Sequence, residues 1–248
     1  MIKLNRPSEP SILATNKAKW LSDLESSVKK YGSYKAIPDD EKERLVCFYR
    51  HSDIKDSLEK SSLGKCAFCE SKPAESGNIE VEHFAPKSIY YHLTFDWINF
   101  LPCCRKCNGL KATHDTLAFP IVNPYDQDPR DYFYFVDISL RPIPGANYKV
   151  AAETIEVCGL DATRLLRPRA KLLIAIRQFV ADLNEALTKL SDAQSAQSRS
   201  RRLRKLAEAI DRIENEMHPS QSHSSFIRSI VEKEEAYTEA RRLIANNA

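Results

Sequence analysis

The stretch that decides the fold runs from residue 65 to residue 114. It reads KCAFCE (65–70), then IEVEHFAPKS (79–88), then DWINFLPCCRKCNGLKATH (96–114). Five of the chain's seven cysteines lie in it. Cys66 and Cys69 form one Cys-x-x-Cys knuckle and Cys104 and Cys107 a second, with 34 residues between them. Each knuckle turn brings two sulfurs about a metal ion's width apart, so four thiolates in two pairs match a tetrahedral structural zinc site. The gap is longer than a minimal zinc ribbon needs and must hold structure of its own. Cys103 also lies within reach of Cys107; Cys104 is preferred because its two-residue spacing repeats the first knuckle. Cys47 and Cys158 are remote and read as small buried hydrophobes.

Outward from this stretch the chain is helical. Its 248 residues are 42% hydrophobic and 29% charged, enough for a core and for one or two domains. The net charge is only +3 and glycines number six, which excludes a polycation, an acidic disordered chain and a low-complexity repeat. No apolar run spans a membrane, and the opening MIKLNRPSEPSIL has no signal-peptide core, so a reducing, cytoplasmic setting is expected.

Residues 1–64 read as a polar lead-in followed by helices. Trp20, Leu21, Leu24 and Val28 fall at helical spacing, and Pro38 with two acids opens a second helix. Residues 65–125 form the cysteine-bearing finger, with IEVEHF and WINFL as short strands. YFYFVDISLRPIPG places a hairpin or linker in 126–150, and 151–248 returns to helix. There Leu172, Ile176, Phe179, Leu183, Leu187 and Leu190 step by three or four, as do Leu203, Leu206, Ile210, Ile213 and Met217. HPSQSHSS interrupts at 218–225, and one last helix is expected through Ile227, Ile230, Val231 and Ile244. Residues 162–248 carry sixteen Lys and Arg against eleven Asp and Glu. The clusters Arg164/Arg167/Arg169/Lys171 and Arg199/Arg201/Arg202/Arg204/Lys205 could grip phosphates or dock an acidic partner protein.

The chemistry falls between the knuckles. Phosphodiester hydrolysis needs a divalent cation to neutralise developing charge, a general base near pH 7, and a third group to hold that base. Glu82 and His83 sit side by side; Asn99 follows 16 positions after His83, and Asn108 nine after that. A regular strand would point Glu82 and His83 to opposite faces, so a bulge is expected there. A helix opening near Arg105 would put Asn108 and Lys111 on one face. His92 and His114 are weaker candidate ligands, and Asp126 and Asp128 read as turn residues.

At these residues the sequence resembles the HNH endonuclease family, whose ββα-metal finger is held in one branch by two Cys-x-x-Cys knuckles. The resemblance implies a mainly helical protein with an inserted zinc-stapled finger. It implies His83 as general base, Asn99 as the residue that fixes the loop and orients His83, and Glu82 and Asn108 as ligands of a catalytic Mg²⁺ or Mn²⁺. Many members carry Asp where Glu82 stands. Lys111 follows the family's trailing basic position and is read with Arg105 as contacting substrate. More broadly, MIKLNRPSEP, the finger, FPIVNPYDQDPRDYFYFVDISLRPIP and the helical tail resemble the PtuB-type HNH proteins of Septu and retron-associated anti-phage systems. That resemblance implies a nucleic-acid substrate, DNA ahead of RNA, and a PtuA-like ABC/SMC-type ATPase docked through the tail. In retron-associated systems it implies a reverse transcriptase with its RNA–DNA hybrid. The competing reading is a zinc-finger adaptor whose site is unused.

Overall fold

In the computed structural model, residues 1–73 and 78–247 are described. The fold is mainly helical, with nine α-helices and two two-stranded sheets among the described residues. The chain divides into two compact units: Met1–Phe133 with Arg141–Leu160, and Tyr134–Leu140 with Asp161–Ala248.

The first unit opens with α1 (Ser11–Tyr31), which buries Leu13, Trp20, Leu24 and Val28 along one stripe and stops at Gly32, whose φ of 81° is the left-handed cap glycine favours. Next, α2 (Asp39–Val46) follows Pro38 and places Asp39, Asp40 and Glu41 in its first turn, where the helix dipole favours anions. The helix opened by Pro38 gives way to a 3-10 turn at Cys47–Arg50, and His51, with extended backbone, caps α3 (Ser52–Ser61) as its ring nitrogen accepts the Asp53 N–H. Strands β1 (Ile79–His83) and β2 (Phe100–Cys104) then pair antiparallel in regular register, Glu82 opposite Leu101 and His83 opposite Phe100. The expected bulge is not there. Helices α3 and α4 (Arg105–Lys111) both pack on this pair. A hairpin of β3 (Phe133–Val136) and β4 (Ser139–Pro142) turns at Asp137 and falls mostly in the second unit, whereas α5 (Tyr148–Val157) belongs to the first.

The polar lead-in is a structural strap. Arg6 donates to the carbonyls of Trp97 (2.8 Å), Ile98 (2.9 Å) and Phe100 (3.0 Å), and its guanidinium lies 3.9 Å from the Tyr125 ring centre. The Leu4 N–H reaches Pro124 O, and the Trp97 indole donates to Pro7 O.

In the second unit, α6 (Thr163–Ser191), α7 (Ala196–Glu216), α8 (Ser224–Val231) and α9 (Glu235–Ala245) share one core of Ile176, Leu183, Leu190, Leu206, Ile210 and Ile213 with Val231 and Tyr237. The single last helix expected from the sequence is two helices. Val231 and Tyr237 are both buried, yet six residues turn a continuous helix by roughly 240°. The break at extended Glu234 returns both side chains to the core.

Replacing Arg6 by Ala is expected to cost on the order of 2 kcal/mol, because three carbonyls lose a charged donor. Arg6→Lys should recover little, since an ammonium lacks the planar fork. Urea denaturation of the three proteins checks this; an unchanged midpoint for Arg6→Ala would refute it.

Candidate functional site

The two knuckles converge. The sulfurs of Cys66, Cys69, Cys104 and Cys107 all lie within 4.8 Å of one another and all four residues are buried. A tetrahedral zinc–thiolate site with bonds of about 2.3 Å has sulfur–sulfur edges of about 3.8 Å. The Cys69–Cys104 distance is 3.8 Å. The donor set therefore fits a structural zinc ion, and four thiolates leave no position open for substrate. Cys103 is outside this group. Its thiol lies 3.9 Å from Cys66 and 3.5 Å from the Cys104 carbonyl, and burial pushes its pKa well up. Cys104 caps α4, its sulfur 3.5 Å from the Cys107 N–H; the Cys107 thiol brings its pKa down to about 7, against an opposing effect of Cys66.

The first knuckle is anchored from behind. Glu70, in left-handed backbone at φ 62°, turns its buried carboxylate to Lys65 (3.1 Å) and to the Met1 amino group.

Past the knuckle, β1 delivers Glu82 and His83 to a cleft of about 230 Å³ that Asn108, Lys87, Tyr34 and Tyr49 also line. Both residues line the cleft although the strand pairing stays regular through His83. The His83 ring packs edge-on against Tyr49 and Phe100, at centroid distances of 4.6 and 5.2 Å. Its Nε2 lies 2.9 Å from the Thr94 carbonyl. A carbonyl only accepts, so the neutral ring carries its proton on Nε2 and leaves Nδ1 as acceptor. Burial, reinforced by Lys87, pushes its pKa down to about 3.

Asn99 braces the loop between the strands. Its Oδ1 accepts the Ala85 N–H (2.7 Å), and its Nδ2 donates to the carbonyls of Ala85 (3.0 Å) and Leu93 (3.2 Å). Leu93 precedes the residue that holds His83. Asn108, on α4, donates from Nδ2 to Glu80 (2.7 Å), which turns its amide. Lys111 is enclosed: its ammonium donates to Glu82 Oε1 (2.6 Å) and to the His83 carbonyl (3.0 Å). It neutralises Glu82 within the finger and does not stand at a surface where phosphate could meet it. Burial pushes the Glu82 carboxyl up, against the pull of Lys111. Arg105 is exposed at the start of α4. His114 is spent on the Phe119 carbonyl (2.8 Å) and His92 packs against Tyr90 and Tyr91. Asp128 caps a turn by accepting from Arg130, and Asp126 accepts from Asn123.

Two cleft residues, Tyr49 and Lys87, and the neighbouring Glu80 had no signal in the spacing. Glu80 lies on β1 two positions before Glu82 and sets Asn108. Tyr49 comes from the turn between α2 and α3. Lys87 has its ammonium 5.1 Å from the Tyr49 ring centre, with no carboxylate partner among the described residues, and burial pushes its pKa down. The PKS run of IEVEHFAPKS could have suggested Lys87.

Fold and site together define a class: a mainly helical protein carrying a cysteine-clamped hairpin and helix beside a cleft with one imidazole. No family model matches the chain. It is 34% identical over 172 residues to Septu protein PtuB of Bacillus thuringiensis, a match covering 68% of this chain and 58% of that protein. It is 26% identical over 207 residues to Septu protein PtuB of Bacillus mycoides strain KBAB4, covering 69% and 67%. The chain thus spans less than two thirds of the length of the first of these relatives. Over about two thirds of its own length the chain is thus similar to Septu PtuB proteins. Among the described residues, no helix is long and apolar enough to cross a membrane.

Elemental analysis of the purified protein should find one zinc per chain. Cys104→Ser should lose it and Cys103→Ser should keep it; the reverse would reassign the fourth ligand. A second expectation concerns pH. An unfolded histidine titrates near about 6.5, whereas folded His83 does so near about 3. As pH falls the unfolded state therefore binds the proton first, so stability present above about 6.5 drains away toward 3. His83→Gln should flatten the loss of urea-midpoint stability between pH 7 and pH 4.5. An equal slope in both proteins would refute the buried-neutral assignment.

Proposed function

We propose that the first unit is a metal-dependent endonuclease finger of the HNH type, acting on nucleic-acid phosphodiester bonds within an anti-phage defence system. The observation that carries this reading is the cleft itself. A histidine held in one tautomer, the Glu82 carboxylate and an asparagine positioned by Glu80 border one opening beside a clamp that takes no part in the chemistry. The similarity to Septu PtuB proteins supports the defence role, and a PtuA-like ATPase is the partner proposed with it.

The donor set suits a hard divalent cation: Glu82 supplies carboxylate oxygen, and Asn108 has its Oδ1 left over once Nδ2 is engaged by Glu80. Mg²⁺ or Mn²⁺ held there would neutralise charge on the phosphate and on the leaving oxygen. His83 takes the proton of the attacking water at Nδ1, because Nε2 is committed to Thr94, and an anionic phosphate in the cleft raises the pKa that burial otherwise holds down. The Thr94 carbonyl then stabilises the imidazolium that forms, and Asn99 keeps that carbonyl in place through Leu93 and Ala85. Lys111 holds Glu82 against the strand while leaving its second oxygen for the cleft. Lys87, in the cleft and without a carboxylate partner, is the cation that meets the scissile phosphate.

Plasmid DNA and total RNA incubated with Mg²⁺ or Mn²⁺ test the reading. His83→Ala, with zinc retained and the helical circular dichroism unchanged, should lose about a hundredfold or more in cleavage rate. Lys87→Ala should lose about tenfold, and Lys87→Arg should recover part of it. Cleavage by His83→Ala at the wild-type rate would leave only the adaptor reading.

A further inference from the structure

The second unit carries a trough of about 810 Å³ between α6 and α7 that the finger chemistry does not use. Its floor is apolar: Phe179, Leu183 and Ala186 from α6 face Leu206, Ala209 and Ile213 from α7. Its rim is basic. Arg201, Arg202, Lys205 and Arg212 line it from α7, and none has a carboxylate partner among the described residues. Arg204, on the same helix but outside the trough, lies 3.9 Å from Glu208, one turn on. Two carboxylates, Asp182 and Glu216, are the only acids among the residues lining the trough, and Asp182 is engaged by Gln178 at 2.8 Å. Helices α8 and α9 pack on α6, and α9 also on α7, in the shared core.

We infer that this trough is the docking site for an acidic amphipathic helix of a partner protein. An apolar groove between two antiparallel helices receives a third helix through its i, i+3, i+7 side chains. Unmatched cations along one wall select a helix whose flanking positions are Glu or Asp, and they speed its encounter. Nucleic acid fits less well. Its phosphates would meet the rim cations, but the apolar floor would gain nothing from a charged backbone. The inference concerns the second unit and stands whether or not the first unit cleaves anything.

The test uses the full chain and fluorescein-labelled helical peptides read by anisotropy. One peptide carries Leu at i, i+3, i+7 and i+10 with Glu on the flanks; a second keeps the leucines and replaces each Glu by Lys; a labelled DNA duplex is the third probe. The acidic peptide should bind saturably and weaken as salt rises. Two variants should each lower its affinity at least tenfold: the quadruple reversal Arg201→Glu/Arg202→Glu/Lys205→Glu/Arg212→Glu, and Ala209→Trp, which fills the floor without touching charge. Circular dichroism of both variants shows whether the bundle is intact; should the quadruple variant unfold, Ala209→Trp with Arg202→Glu alone carries the comparison. Equal binding of the Glu and Lys peptides would overturn the inference. So would DNA binding that Ala209→Trp abolishes, which would make the trough a nucleic-acid site, or self-association of the chain that the acidic peptide fails to displace.

Discussion

Four sulfurs within 4.8 Å of one another are the constraint from which the first unit's geometry follows. A two-stranded hairpin is marginal alone, and β1 and β2 have five residues each. The clamp joins Cys104 at the end of β2 to Cys107 in the first turn of α4 and ties both to the knuckle after α3. It thereby sets the angle at which α4 leaves the sheet, and with it the positions of Asn108 and Lys111 relative to β1. Four buried thiols with no shared cation would crowd their protons, whereas an ion that takes them as thiolates turns the crowding into ligation. The burial that makes such a site closed also keeps it chemically silent.

A second constraint acts on the long connection between the strands. The sixteen residues between β1 and β2 (84–99) could adopt many shapes, yet three features reduce them. Asn99 ties both ends through Ala85 and Leu93, Thr94 accepts from His83, and the Arg6 fork collects the carbonyls of Trp97, Ile98 and Phe100. The same bonds that order the loop choose the tautomer of His83. Orientation of the imidazole is thus a by-product of loop packing.

How much of this could be read from the residues alone varies with the range of the interaction. The knuckles were legible because Cys-x-x-Cys is a local geometry, and the same holds for the helix starts at Pro38 and for the stripes of α6 and α7. Long-range partners left no local trace. Arg6 meets carbonyls more than ninety positions away, and nothing periodic in MIKLNRPSEP announces it. Lys111 reads as a surface cation from its neighbours, but the pairing of β1 with β2 brings Glu82 to it. The break between α8 and α9 was hidden because Ile227 to Ile244 is consistent with one helical stripe until Val231 and Tyr237 must share a core. Cys103 and Cys104 differ in sequence by a single position, and only the fold of the finger decides which joins the other three sulfurs.

The two units divide the problem between rigidity and recognition. In the first, nearly every polar side chain around His83 is spent on another group of the finger: Asn99 on backbone, Lys111 on Glu82, Asn108 on Glu80. A site so committed can position a base and a cation pocket, but it has little left with which to choose among sequences, because base-edge readout needs free donors and acceptors at a surface. The second unit is the opposite case, with cations on α7 that nothing among its described residues satisfies. On the proposed reading, selectivity for where and when the finger acts would come from what the second unit binds, because the unmatched cations lie there and the side chains around His83 are already engaged.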